Sequence, residues 1–447
     1  MKDLWPTFRY KPHQVAGIQW MKNLEATATG GLLCDEMGLG KTIQMLGLMK
    51  NTAVKNSLLL APLPVLQQWR DAATRSGFNC HSFQGRWQIP TNMFLNAPNL
   101  YIINYEAAIR NPQALKELGC ERIICDEAHK LCSKGAGWRT VHALHAKKVW
   151  LLTATPVVNR LGDIRALFEL ISQEFTEKAA GNFILCRTMS EMREHIPTLP
   201  SEAVECNHLL DFDTEDEAEF YRGIQGMIVK RWTSAAEDSM NAFDKLKLMM
   251  RLRQISLHPQ IYIDARKKSL GTAYKRENWT QPSTKFNGIN KIISEEPKPQ
   301  KWIIFCHFHA EMDLLERSLR SVSDLGKIWK YSGAVDASGR TEILKDTLEA
   351  RIDQHHVLLC QLQSGGVGLN LQHFSRIIFT GPWWTSALME QAVGRAVRIG
   401  QTSQVIVHHL LLKEEDGLNI DRSMKMAAQA KGAICRAVLD AANHSIA

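Results

Sequence analysis

No Cys-x-x-Cys pair occurs in the 447 residues, although the chain has ten cysteines. A zinc ribbon needs such pairs, so that class is set aside. The nearest grouping, Cys120, Cys125 and Cys132 around His129, fits no common ligand spacing and reads as reduced core thiols. Free thiols point to an intracellular compartment. Long apolar runs are missing too: "SLLLAPLPVL" falls far short of the roughly 20 residues a membrane span needs. The opening "MKDLWPTFRYKPHQ" has no apolar leader core, and no lipidation signal is present. The expectation is a soluble chain with no membrane partner. Short-period repeats and low-complexity tracts are absent. The charge imbalance is small, 54 Lys and Arg against 46 Asp and Glu for a net +8, which admits a polyanionic partner without establishing one.

What is present is a globular composition, 45% hydrophobic and 22% charged, on a chain long enough for two domains. Short apolar runs alternate with amphipathic stretches, as in parallel α/β units. In the first half the strand candidates are "GGLLCD", "SLLLAP", "LYIINY", "RIICDE" and "VWLLTAT"; in the second, "KWIIFCHF", "GKIWKYSG", "HHVLLCQL", "RIIFTG" and "VIVHHLL". From about Pro197 to Met250 helical patterns dominate, and "DARKKSLGTAYKRENWTQPSTK" reads as a surface loop. The expected organisation is an ATP-binding lobe over 1–190, a helical connecting region running into the second lobe over 191–284, and a second lobe with a helical tail over 285–447.

Two peptides point to a nucleotide. "GLLCDEMGLGKT" places a glycine-containing turn between a strand and a helix start, the context a phosphate loop requires. Gly38 and Gly40 permit positive φ, Lys41 supplies charge for the β- and γ-phosphates, and the Thr42 hydroxyl suits Mg²⁺. Asp35 stands where the usual G-x-x-x-x-G-K-[ST] pattern has its first glycine. Some ninety residues on, "RIICDEAH" sets Asp126 and Glu127 at the end of an apolar strand. There Asp126 would hold the metal, while Glu127 orients and deprotonates the attacking water.

"DEMGLGKT", "DEAH", "LLTATPVVNR", "RLRQISLHP", "QSGGVGLNLQ", "GPWW" and "QAVGRAVRIGQT", in this order, resemble the Swi/Snf-like family of superfamily-two helicase-type ATPases, which translocate on double-stranded DNA. "YKPHQVAGIQWM" is similar to that family's glutamine motif. The resemblance spans about residues 8 to 412 and implies two tandem RecA-like parallel α/β lobes with a helical connecting region. It implies ATP and Mg²⁺ as cofactors. Gln14 would read adenine, and the loop Asp35, Glu36, Met37, Gly38, Leu39, Gly40, Lys41 and Thr42 would hold the phosphates, with Gly368 and Gln391 from the second lobe. Arg395 and Arg398 would be arginine fingers, three apart on an expected helix. DNA contacts would fall at Pro62, Asn104, Tyr105, Thr153, Thr155, Gly333, Gly366 and Asn370. His129 is expected to relay to the other lobe, and Trp383 and Trp384 to pack beneath the finger helix.

The expected activity is DNA-dependent ATP hydrolysis coupled to translocation on duplex DNA. Departures from the family pattern, His13 before Gln14, "TATP" and "QAVGRAVR", keep a strand-separating or annealing helicase on single-stranded DNA or RNA as the alternative. A non-catalytic nucleic-acid scaffold is the minor one. The short stretch between Arg160 and Arg187 favours a minimal translocase over a nucleosome remodeller.

Overall fold

Apolar runs that face two ways need cover on both sides, and both sheets of the protein have it. The computed structural model describes residues 1–88, 96–193, 196, 199–234, 241–365, 369–413 and 419–443. The first sheet contains β1 (Gly30–Leu33), β2 (Asn56–Ala61), β3 (Asn79–Phe83), β4 (Trp87–Gln88), β5 (Asn99–Asn104), β6 (Arg122–Asp126), β7 (Lys148–Leu152) and β8 (Ile184–Leu185). Their order is β4-β3-β5-β2-β6-β7-β1-β8, parallel except for β4. Along β2, Leu58 and Leu60 enter one core with Ile164 and Phe168, while Leu59 and Ala61 enter the other with Ile18, Met45 and Trp69. The second sheet contains β9 (Val204–Leu210), β10 (Lys301–Cys306), β11 (Leu325–Tyr331), β12 (His355–Gln361), β13 (Arg376–Phe379) and β14 (Ile406–Leu412). It is wholly parallel, in the order β11-β12-β10-β13-β14-β9. The result is two tandem RecA-like α/β lobes.

All ten expected strands are present, and four more were not legible. β4 and β8 have two residues each, and β3, "NCHSF", carries no apolar run. β9 lies in the stretch expected to be helical; as an edge strand it alternates exposed and half-buried residues and lacks a hydrophobic run. The expected surface loop is corrected in its first part, because the helix Pro259–Leu270 continues through "DARKKSL". Proline at its first turn and the His258 side chain accepting from Gln260 N start that helix.

Helices Glu215–Ser234, Ala242–Leu257 and Pro259–Leu270 pack together beside the second lobe. Arg253 joins them to it: its guanidinium lies 4.6 Å from the Trp383 ring centre and 5.4 Å from that of Trp384, and Trp383 stacks on His307. The two tryptophans are therefore packing residues. The helix Ile420–Asn443, about 36 Å long at 1.5 Å per residue, runs back to the first lobe. Ile420 and Met424 belong to the helical cluster, whereas Cys435, Val438 and Ala442 complete the first lobe's core.

Among the described residues no helix is long and apolar enough to cross a membrane, and no group of three or more His, Cys, Asp or Glu could hold a metal. Cys125 is buried, which raises its thiol pKa, and burial raises that of Cys120 to about 12. Eight of the ten cysteines are buried, and Cys120 and Cys206 are half-buried. Maleimide labelling of the native protein at neutral pH should therefore modify Cys206 first, with the buried eight reacting only on unfolding; mass spectrometry showing early labelling of Cys125 or Cys360 would contradict this packing.

Candidate nucleotide site and interlobe groove

The turn between β1 and the helix Lys41–Lys50 is shaped by two glycines. Gly38 has φ 93° and Gly40, capping the helix, φ 84°. Close approach also fixes Gly38, since a Cβ there would sit 2.3 Å from Met189 Cε. The Lys41 ammonium donates to the Asp35 carbonyl at 2.6 Å, holding it against its own loop.

Asp35 has no exposed surface, and its carboxylate does not face the open side of the turn. Arg187 donates to Oδ1 at 2.9 Å and to Oδ2 at 2.5 Å, and Gln44 donates to Oδ2 at 2.8 Å. Bidentate pairing of this kind is what makes a buried carboxylate tolerable. The residue in the glycine position is thus an anchor from beneath. Glu36 is also engaged, its carboxylate accepting from Met189 N at 2.6 Å. Gln14 is buried; its Oε1 accepts from Lys11 N at 3.0 Å and its Nε2 donates weakly to Leu39 O at 3.4 Å. His13 Nε2 donates to the same carbonyl at 2.8 Å, and burial lowers its pKa, keeping the ring neutral.

Asp126 and Glu127 end β6 below this turn. Trp69 Nε1 donates to Asp126 Oδ2 at 2.7 Å, and Glu127 N to Oδ1 at 3.0 Å. Burial and the neighbouring Glu127 charge raise the Asp126 carboxyl above its ordinary range. Burial would raise Glu127 as well, but the hydrogen bond and charge of His129, with Lys41 and Arg395, outweigh it and hold Glu127 ionised. Its backbone is left-handed, φ 51°. His129 Nδ1 lies 3.4 Å from Glu127 and 3.3 Å from Thr153 Oγ1, so its own contacts bridge two parts of the first lobe, and among the described residues it meets the other lobe only through Glu127.

The second lobe reaches this site through Arg395, whose Nη2 is 3.9 Å from Glu127 Oε1. Arg398 backs onto Gly38: a Cβ at that glycine would lie 3.6 Å from Arg398 Cβ. Neither arginine is helical. The helix Ser386–Val393 stops at Gly394, and both arginines sit in the following turns. Gln391 is buried on that helix. Gly366 and Gly368 lie outside the described residues.

A separate groove of about 710 Å³ runs between the lobes, bounded by Pro62, Asn104, Arg110, Lys130, Arg340 and Ser364 among others. Of the expected nucleic-acid contacts, Pro62 and Asn104 line it, and Gly333 borders it by accepting from Arg340 at 3.1 Å. Asn370 is exposed, outside the groove lining. Tyr105, Thr153 and Thr155 are buried and do not line the groove: Tyr105 donates to Asp126 O at 2.8 Å, and Thr155 N to Thr153 Oγ1 at 3.2 Å. Those three tie strand ends together. The groove's cations Arg110, Lys130 and Arg340 were missed. Arg110 and Lys130 closely follow quoted motifs and could have been found; Arg340 carries no local signal.

Residues 13–181 match the SNF2-related domain and residues 284–400 the helicase conserved C-terminal domain. A probable global transactivator of Orgyia pseudotsugata multicapsid polyhedrosis virus is 26% identical over 479 aligned positions, covering 96% of this chain and 91% of that protein. The ISWI chromatin-remodeling complex ATPase ISW2 of Saccharomyces cerevisiae is 26% identical over 90% of this chain and 39% of its own length. An uncharacterized ATP-dependent helicase of Mycoplasma pneumoniae is 25% identical over 90% of this chain and 40% of its own. The chain spans about two fifths of the last two proteins. The solved Sulfolobus solfataricus SWI2/SNF2 ATPase core in complex with dsDNA aligns over 98% of this chain and 96% of its own, with 21% identity and a TM-score of 0.41.

Proposed function

Because the chain belongs to the SNF2-related family of helicase-type ATPases and hydrolyses ATP, we propose that it couples hydrolysis to movement along double-stranded DNA. The observation that carries this reading is the groove bounded by both lobes, with cations from each: Arg110 and Lys130 on one side, Arg340 on the other. Contacts of this type grip phosphates without reading bases.

ATP would lie on the turn Gly38–Thr42, with Lys41 turning from its loop carbonyl to the phosphates. The Thr42 hydroxyl and the Asp126 carboxylate are hard oxygen donors of the kind Mg²⁺ takes, and a cation there offsets the buried charge that raises Asp126. Bound Mg²⁺ would neutralise charge on the β- and γ-oxygens. Glu127, kept ionised, takes the proton of the attacking water. Arg395 and Arg398 stabilise charge on the transferred phosphoryl, so the γ-phosphate bridges the lobes until it is cleaved. Alternating closure and release, with a phosphate grip on each lobe, gives net steps.

The test compares ATP hydrolysis with duplex DNA, single-stranded DNA, RNA and no nucleic acid, beside triplex-displacement and strand-unwinding assays. Duplex stimulation of about tenfold or more, with triplex displaced and strands not separated, is expected. Stimulation confined to RNA or single strands would sink the duplex reading in favour of a strand-separating helicase. Replacing Arg110, Lys130 or Arg340 by alanine should each weaken binding across sequences and reduce the log–log salt slope by about 1.

A further inference from the structure

The chain crosses from the first lobe to the second between β8 and β9, and this crossing is laid along the phosphate loop. Cys34 N donates to Leu185 O at 2.7 Å and Glu36 N to Arg187 O at 2.8 Å, so the loop begins as an extension of the β1–β8 pairing. Side chains then lock the two segments in both directions. Arg187 grips Asp35 with two nitrogens, and also donates to His13 O at 2.5 Å and Gln44 Oε1 at 2.8 Å. Glu36 reaches the other way and accepts from Met189 N, at the start of the short helix Met189–Arg193.

Past this lock, Leu39 of the loop is buried in a small apolar cluster with Met189, Ile196 and Leu199 of the crossing. Ile399, next to Arg398 in the second lobe, packs against the same cluster. The phosphate loop, the interlobe crossing and the arginine-bearing turn thus meet in one packed junction. Close-packed side chains transmit displacement rather than absorbing it.

We propose that Arg187 and Leu199 are positioning residues that make the crossing a lever: Arg187 fixes the phosphate loop to it, and Leu199 passes the loop's position through Ile399 to the turn carrying Arg395 and Arg398. Closure is then driven from behind the nucleotide as well as by the fingers in front of it. The inference rests on ATP binding at the loop, and its test uses no nucleic acid, so it stands or falls apart from the choice of track.

The test measures lobe closure by energy transfer between dyes at E117C and L348C, two exposed positions, with Cys120 and Cys206 replaced by serine. Arg187→Lys keeps the charge opposite Asp35 and loses the forked grip; Leu199→Ala leaves the grip and removes the apolar link. Each variant should bind a non-hydrolysable ATP analogue with Mg²⁺ within about threefold of the parent, yet lose at least about half of the nucleotide-driven change in transfer. In steady state kcat should fall about fivefold or more with KM for ATP within about threefold. Parental closure amplitude in either variant overturns the lever. So does a parent that shows no nucleotide-driven change, or affinity lost in step with amplitude, which is what a merely structural role would give.

Discussion

Glu127→Gln should lower kcat for ATP hydrolysis by about 10³-fold, close to 4 kcal/mol of transition-state stabilisation, while ATP binding stays within about threefold. The reasons lie in the surroundings of this carboxylate. It is nearly buried, yet His129, Lys41 and Arg395 hold it ionised, so it is a base kept ready in a place where water is scarce. Glutamine has the same shape and still accepts a hydrogen bond from His129. It cannot take a proton. Steady-state hydrolysis beside titration with a fluorescent ATP analogue separates chemistry from binding. Normal turnover would remove Glu127 as the base, whereas loss of binding as well would make its charge part of the nucleotide cradle.

Arg395→Ala should cost at least as much, about 10³-fold or more in kcat, as expected for an arginine finger. Its guanidinium is the second-lobe group placed within 3.9 Å of the base, and its residue is only 8% exposed. Arg395→Lys should recover little of the loss, because an ammonium cannot present two parallel donors to a phosphoryl group. Arg398→Ala should lower kcat too, as this residue backs onto Gly38. Hydrolysis within about tenfold of the parent in Arg395→Ala would place the transition-state charge elsewhere.

The layout was legible because mostly buried strands read as apolar runs, and all ten expected strands formed, including the edge strand β11, which was read from Ile328, Trp329 and Tyr331. β3, β4, β8 and β9 were not, since they are polar, only two residues long or without a hydrophobic run. At the site, Lys41, Asp126 and Glu127 were read from peptides whose chemistry is local and Arg395 from the family resemblance, and the structure brings them together from both lobes. The helix expected beneath the two arginines failed at Gly394, where the last helical turn ends. Arg187 was invisible for a different reason: it acts on Asp35 across 152 positions, and nothing in "ILCRTMS" marks a carboxylate partner. Arg340 shares that limit, because a groove is made by tertiary assembly and not by any one peptide, whereas Arg110 and Lys130 lie close to motifs that were read.

The helix Ile420–Asn443 places a constraint on how the protein is made. Cys435, Val438 and Ala442 belong to the core of the first lobe, packed with Val157, Ile164 and Phe168. They are not translated until the whole second lobe has been. On the ribosome the first lobe therefore emerges with part of its apolar surface uncovered, and domain-by-domain folding in order of synthesis cannot finish it. The lobe synthesised first is the one completed last.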